Sequence, residues 1–143
     1  MLTGTLPQPA AVLDTNVALD WLLFADPSCC ALGAAVVGAR LRWLACPRMR
    51  DELADVLARG LAARRGVAAD AVLAAFDAHA QLIDTPSAAP LHCTDPDDQV
   101  FIDLACASGA RWLVSRDHAV LRLARRAAPQ GLQIVTPQRW RLE

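Results

Sequence analysis

Five short apolar runs, separated by segments of helical periodicity, set the narrowest limit on what this chain can fold into. They are AAVLD (10–14), LRWLAC (41–46), QLIDT (81–85), RWLVS (111–115) and LQIVT (132–136). Continuous apolar character over so few residues predicts strands buried on both faces. Helical spacing is expected over 16–24, 29–40, 47–65, 69–81, 95–109 and 117–128, with Pro47 in a first turn and Gly109 as a stop. Strands joined by helices need crossover connections, which produce a parallel sheet covered on both faces. The expected fold class is therefore α/β, a single domain over residues 1–143 with a central parallel sheet, and residues 1–9 are expected to be a flexible N-terminal segment. There is no internal repeat and no linker-like stretch.

Composition excludes several classes. A hydrophobic fraction of 55%, much of it Ala, is not that of a disordered chain. No apolar run reaches bilayer length without a charge, and the N-terminal MLTGTLPQPA lacks the pattern of a signal peptide, so no membrane association and a cytoplasmic location are expected. Five cysteines with no C-x-x-C pair read as reduced thiols, mostly small core residues; His92-Cys93 near Asp95 has no second His/Cys pair to complete a soft-metal site. Net charge is −1, which gives no global attraction for nucleic acid. All 14 basic residues are Arg, and several cluster, so local phosphate contacts remain open beside the plainer reading of solvated helix faces.

In parallel α/β sheets, ligands bind outside the carboxyl ends of the strands. Acids there carry the functional reading. Asp14 closes the first run in VLDTNVALDWLLF, Asp117 closes WLVSRD, and Asp98 falls in the first turn of the helix entered through Thr94-Asp95-Pro96. Glu52 lies beside the apolar stripe Met49, Leu53, Val56 and Leu57. Each has a plain structural explanation: Asp14 and Asp117 as helix-initiating residues, Asp95 as an N-cap with Asp97 and Asp98 favourable in the first turn. Together, four acids at one rim repel one another unless a divalent cation lies among them. Carboxylates without His or Cys are the ligand set of Mg²⁺ or Mn²⁺.

These residues resemble the PIN domain family. VLDTNVALDWLLF, RMRDELADVL and DPDDQVFIDLACASGARWLVSRDHAVLRL carry the resemblance, which spans nearly the whole chain and matches mainly in pattern over 25–90. The branch most similar is that of bacterial and archaeal toxin components of toxin–antitoxin systems, relatives of the VapC toxins. The resemblance implies a three-layer α/β/α domain and a metal-dependent ribonuclease. It carries Asp14, Glu52, Asp98 and Asp117 over as the catalytic and metal-binding acids, with Asn16 and Ser115 as supporting polar residues.

One or two Mg²⁺ or Mn²⁺ ions are expected, with Asp14 and Asp98 as principal ligands, and Arg116 is a candidate for holding substrate phosphate. An RNA substrate, a cognate antitoxin and a homodimer are the partners implied. Two departures stand out. The last motif has Arg116 where Gly is usual and Ala119 where a second Asp is usual, and Asp97 rivals Asp98, though the distance to Gly109 favours Asp98. Asp103 is either a supporting residue or simply exposed. The alternative reading is a PIN-like module that binds RNA or protein without cutting. Asp-phosphorylated hydrolases and phospho-receiver domains fit poorly, because the chain has no Lys to stabilise phosphate and Asn16 stands where a D-x-D loop needs acid. Phosphate-binding glycine loops are absent from the sequence.

Overall fold

A computed structural model describes residues 8–142. Its sheet has five parallel strands, β1 (Ala10–Leu13), β2 (Arg42–Ala45), β3 (Ala80–Leu82), β4 (Trp112–Val114) and β5 (Gln133–Val135), in the order β3-β2-β1-β4-β5. The helices are α1 (Thr15–Leu22), α2 (Cys30–Val37), α3 (Pro47–Val56), α4 (Ala62–Arg64), α5 (Ala69–His79), α6 (Gln99–Ser108), α7 (His118–Leu121) and α8 (Ala124–Ala127). Strands are added outward from β1 first in one direction (β2, β3) and then in the other (β4, β5). Right-handed crossovers therefore place α1–α5 on one face and α6–α8 on the opposite face. The expected α/β/α layering follows.

The order reverses between β1 and β4, which pair through Ala11–Trp112, Val12–Leu113 and Leu13–Val114. Such a switch point opens a crevice at the carboxyl end of the sheet. Asp14 and Asp117 leave the two strands that flank it. The β1 strand is buried at all four positions, as its continuous apolar run requires. Its Ala11 pairs with Trp43 on one side and Trp112 on the other, so a methyl group separates two buried indoles. Trp43 continues into an aromatic stack with Trp21 (5.4 Å between centroids) and Phe76 (5.0 Å), joining α1, β2 and α5.

Several boundaries differ from the sequence expectation. The segment 47–65 is one long helix by pattern, but Gly60 at φ +88° interrupts it within a wide turn over Leu57–Leu61. Segment 117–128 divides into α7 and α8, and 29–40 begins as a tight turn over Pro27–Cys29 before α2. The third strand is 80–82 rather than 81–85, because its pairing with β2 is set by Trp43–Ala80 through Ala45–Leu82. Of the segment expected to be flexible, residues 1–7 lie outside the described residues; the carbonyls of Gln8 and Pro9 accept bonds from Arg42 Nε (3.2 Å) and Arg42 N (2.9 Å). All five cysteines are free thiols, but only Cys29 and Cys46 are core residues. Among the described residues no single helix is long and apolar enough to cross a membrane.

Helices α1 and α2 meet where Gly33 faces the Trp21 indole. A methyl group at Gly33 would lie 2.2 Å from Trp21 Nε1, so Gly33→Ala must displace a ring that is locked against Trp43. Overpacking of this kind costs about 1–3 kcal/mol. The expected outcome is a lower midpoint in urea with an unchanged slope, checked by equilibrium denaturation.

Candidate active site

Asp14 follows β1 and caps α1: its Oδ1 accepts a 2.8 Å bond from Val17 N. Its Oδ2 accepts from Ser115 Oγ. Asp14 is 3% exposed and Ser115 is fully buried. Burial raises the Asp14 carboxyl above its ordinary range; the bonds from Ser115 and Val17 oppose that, and the charge of Asp117 adds to it. Asp14 is thus a helix cap whose second oxygen is bonded across the switch point.

Ser115 makes the link symmetrical. Its Oγ also accepts a 3.0 Å bond from Asp117 N, while Asp117 Oδ1 accepts from Ala119 N at 2.8 Å and caps α7. One buried hydroxyl thus ties the acid after β1 to the acid after β4.

Asp98 completes the rim from the other direction. Residues Pro96–Asp98 form a single tight turn before α6, with Asp95 as its cap through a 3.0 Å bond from Asp97 N to Asp95 Oδ1. Asp95, Asp98 and Asp117, all half-buried, each offer a carboxylate oxygen within 4.8 Å of the others. The Asp98 carboxyl is pushed up to about 7, first by burial and then by a hydrogen bond and charge from Asp117, with Asp95 and Asp14 adding. Among the described residues, Asp98 Oδ2 is buried without a hydrogen-bond partner. A buried carboxylate oxygen left without a donor is costly unless a cation satisfies it. Three convergent carboxylates with one oxygen so orphaned can coordinate a divalent ion of the oxygen-preferring class.

Glu52 stands apart from this triad on α3. It is half-buried, and burial followed by the charge of Asp97 raises its pKa, against a hydrogen bond from Thr15. Glu52 and Asp97 line a neighbouring cavity of about 340 Å³ together with Arg48 and Arg59. Asn16 is exposed and faces a different cavity; Asp14 is oriented by Val17 and Ser115. Arg116 is clamped, its Nε donating to Asp20 Oδ2 at 2.8 Å and its Nη2 to Ser28 Oγ at 2.6 Å, with Asp26 at 3.7 Å. Asp103 accepts bonds from Ala89 N (2.8 Å) and Gln99 Nε2 (2.9 Å), so it anchors the loop that leads to the acids. Gln99 completes that anchor by accepting from Cys93 N at 2.6 Å and donating to Leu91 O at 2.8 Å.

A family model described as the PIN domain matches residues 10–119. The chain belongs to the PIN domain family. The match begins with β1 and ends at Ala119, so it contains every acid of the site. The fold is similar to a chain in the crystal structure of VapBC2 from Rickettsia felis bound to a DNA fragment from their promoter. The TM-score is 0.60 at 14% sequence identity, covering 87% of this chain and 96% of that one. No curated protein matches the sequence.

In this PIN domain, Asp95 is the acid of the candidate cluster that sequence reasoning missed, because its capping role accounted for it fully. The signal was present in the spacing. Residues three apart across one helical turn share a side, which brings Asp95 next to Asp98. The clamp on Arg116 and the anchoring by Gln99 left no comparable trace.

Proposed function

We propose that this PIN domain is a Mg²⁺- or Mn²⁺-dependent endoribonuclease and the toxin of a toxin–antitoxin pair, acting on RNA phosphodiester bonds. The observation that carries the reading is the convergence of the Asp95, Asp98 and Asp117 carboxylates, with Asp98 Oδ2 buried and unpartnered among the described residues. Asp98, Asp117 and Asp95 would hold the ion, with Asp14 and Glu52 as further acids of the site. When bound, the ion supplies positive charge at the phosphate and lowers the pKa of a water for in-line attack.

The chain's own residues do the positioning. Ser115 holds Asp14 and the Asp117 backbone in one frame, so the acid after β4 keeps its place relative to the sheet. The raised pKa of Asp98 means that a cation must displace a proton held more tightly than on an ordinary carboxyl, so ion binding there is coupled to proton release near neutral pH. Arg48 and Arg59, exposed beside Glu52, are placed to meet RNA phosphates next to the acids. The toxin assignment, the antitoxin and a homodimer rest on family membership and on a fold shared with a toxin–antitoxin complex.

The test is cleavage of a pooled RNA library in Mn²⁺, with an EDTA control and with Asp98→Asn and Asp117→Asn. Loss of a ligand that organises the reacting phosphate is expected to lower the rate at least about 100-fold. Wild-type protein that binds RNA in Mn²⁺ and cuts none of the library would instead favour a non-catalytic RNA-binding module.

A further inference from the structure

A cavity of about 400 Å³, lined by other residues than the Glu52 cavity, opens beside the acids. It shares Asp117 with the acid triad, so anything seated in it lies next to the proposed cutting point. Its walls are of three kinds. Leu19, Phe24 and Val56 give an apolar surface from α1, its C-terminal end and α3, Asn16 and Arg116 give donors, and Asp20 and Asp117 give carboxylate acceptors. The volume lies within the range of small-ligand sites, and the lining combines apolar surface with placed polar groups.

Two features argue for a nucleobase as the occupant. The first is the fixed guanidinium. Arg116 is held by Asp20 and Ser28 through Nε and Nη2, and among the described residues no hydrogen bond engages its Nη1. An arginine pinned in this way loses little freedom when it donates to a base edge, whereas a flexible surface arginine loses much. The second is the aromatic wall. Phe24 is half-buried, and Arg65 lies over its ring with its guanidinium carbon 5.1 Å from the centroid. An aromatic ring, an adjoining arginine and a donor-bearing edge are the elements by which proteins hold unstacked bases of single-stranded RNA. The charge of Arg116 is already paired with Asp20 and Asp26, so its part here is directional donation rather than net attraction.

We infer that this cavity seats one unstacked base of the RNA beside the phosphate to be cut, with Phe24 and Val56 on its faces and Arg116 and Asn16 at its edge. The assignment rests on the nuclease reading for its substrate. It makes Phe24, Val56 and Arg116 the determinants of which base is accepted next to the cut. Arg116 serves the base rather than the scissile phosphate.

The test uses four homopolymer RNA octamers in Mn²⁺, with binding followed by fluorescence anisotropy and cleavage of the same octamers by gel. Wild-type protein is expected to bind one octamer at least about tenfold more tightly than the weakest, the scale on which pockets discriminate. Phe24→Leu removes the ring while keeping apolar volume, and Val56→Trp fills the cavity. Each is expected to reduce the discrimination to less than about threefold while leaving the Mn²⁺-induced rise in melting temperature intact, which shows that the acids are still in place. Equal binding of all four octamers by wild type, or discrimination that survives both variants, overturns the assignment. Discriminating binding that Phe24→Leu and Val56→Trp erase, with no cleavage, upholds the base site and removes the nuclease. Cleavage whose base preference ignores both variants does the reverse.

Discussion

Manganese is expected to raise the melting temperature of the wild-type protein, and Asp98→Asn to remove most of that rise. The expectation follows from the site's electrostatics without reference to any substrate. Burial and three neighbouring acids push the Asp98 carboxyl up to about 7, which means that its ionised form is poorly accommodated in the folded chain. A cation bound among Asp95, Asp98 and Asp117 relieves that repulsion and satisfies the buried Oδ2. An ion that binds only the folded state stabilises by about 2.7 kcal/mol at one hundred times its dissociation constant. For a domain of this size each kcal/mol is worth roughly 3 °C, so a rise of roughly 8 °C is expected at saturating Mn²⁺. Asp98→Asn keeps the shape of the side chain but removes the charge, so its own melting temperature without metal should equal or exceed that of wild type. No rise for wild type at millimolar Mn²⁺ would leave the nuclease reading without its chemistry.

The same carboxyl sets a pH dependence. Its ordinary value is 3.8 and its folded value is about 7, so between these the folded state binds more protons than the unfolded chain. Stability then falls as pH rises through that interval. Below it both states are protonated and the contribution is fully present; above it the loss is complete. Metal-free protein should therefore melt lower at about pH 8 than at about pH 5, Asp98→Asn should flatten that difference, and Mn²⁺ should stabilise most at the alkaline end. Melts at both pH values, with and without Mn²⁺, check all three.

What the sequence made legible is what local chemistry decides. The buried strands were visible because a run such as AAVL has no polar position to turn outward, and all four of its residues are buried. Asp14 and Asp117 were visible because each interrupts such a run at its carboxyl end. Helix continuity was harder. Pattern carries through Gly60 because Leu57 and Ala62 remain on the buried side, yet the glycine's left-handed conformation breaks the hydrogen-bond ladder there. At Ala80 the chain passes from α5 directly into β3 with no Gly or Pro to mark it, so the expected helix ran into the strand. Asp95 was hidden by a sufficient local explanation, since a capped tight turn needs an acid there for its own reasons.

The arginine clamp was hidden for a different cause. Arg116 meets partners 96 and 88 residues away, at Asp20 and Ser28, and contacts at such separation leave no periodicity to read. The likeness to a known family supplied Ser115 as a supporting position. Only the structure shows what it supports, namely two acids on adjacent strands joined through one hydroxyl.

That hydroxyl carries the second large effect. Ser115→Ala leaves Asp14 Oδ2 without its donor at a position only 3% exposed, and it leaves Asp117 N without its acceptor. A buried carboxylate deprived of a partner costs more than the bond was worth, because its desolvation is no longer offset. The expected loss is about 2–4 kcal/mol, read as a lower urea midpoint. Asp14→Ala alone removes the charge but leaves the hydroxyl unpaired and α1 uncapped, at a cost of about 1–3 kcal/mol. The double variant decides between a packing role and an electrostatic one. If Ser115 matters because it satisfies Asp14, its loss should cost little once Asp14 is gone, and the two single effects should exceed the double by about 1–3 kcal/mol. If the two effects simply add, Ser115 is a small residue filling a tight space, and the buried bond between the acids of β1 and β4 holds nothing in place. The metal response separates the consequences further: Ser115→Ala keeps Asp95, Asp98 and Asp117, so a weakened Mn²⁺ shift in that variant reports how firmly the Asp117 backbone must be held for the triad to close on an ion.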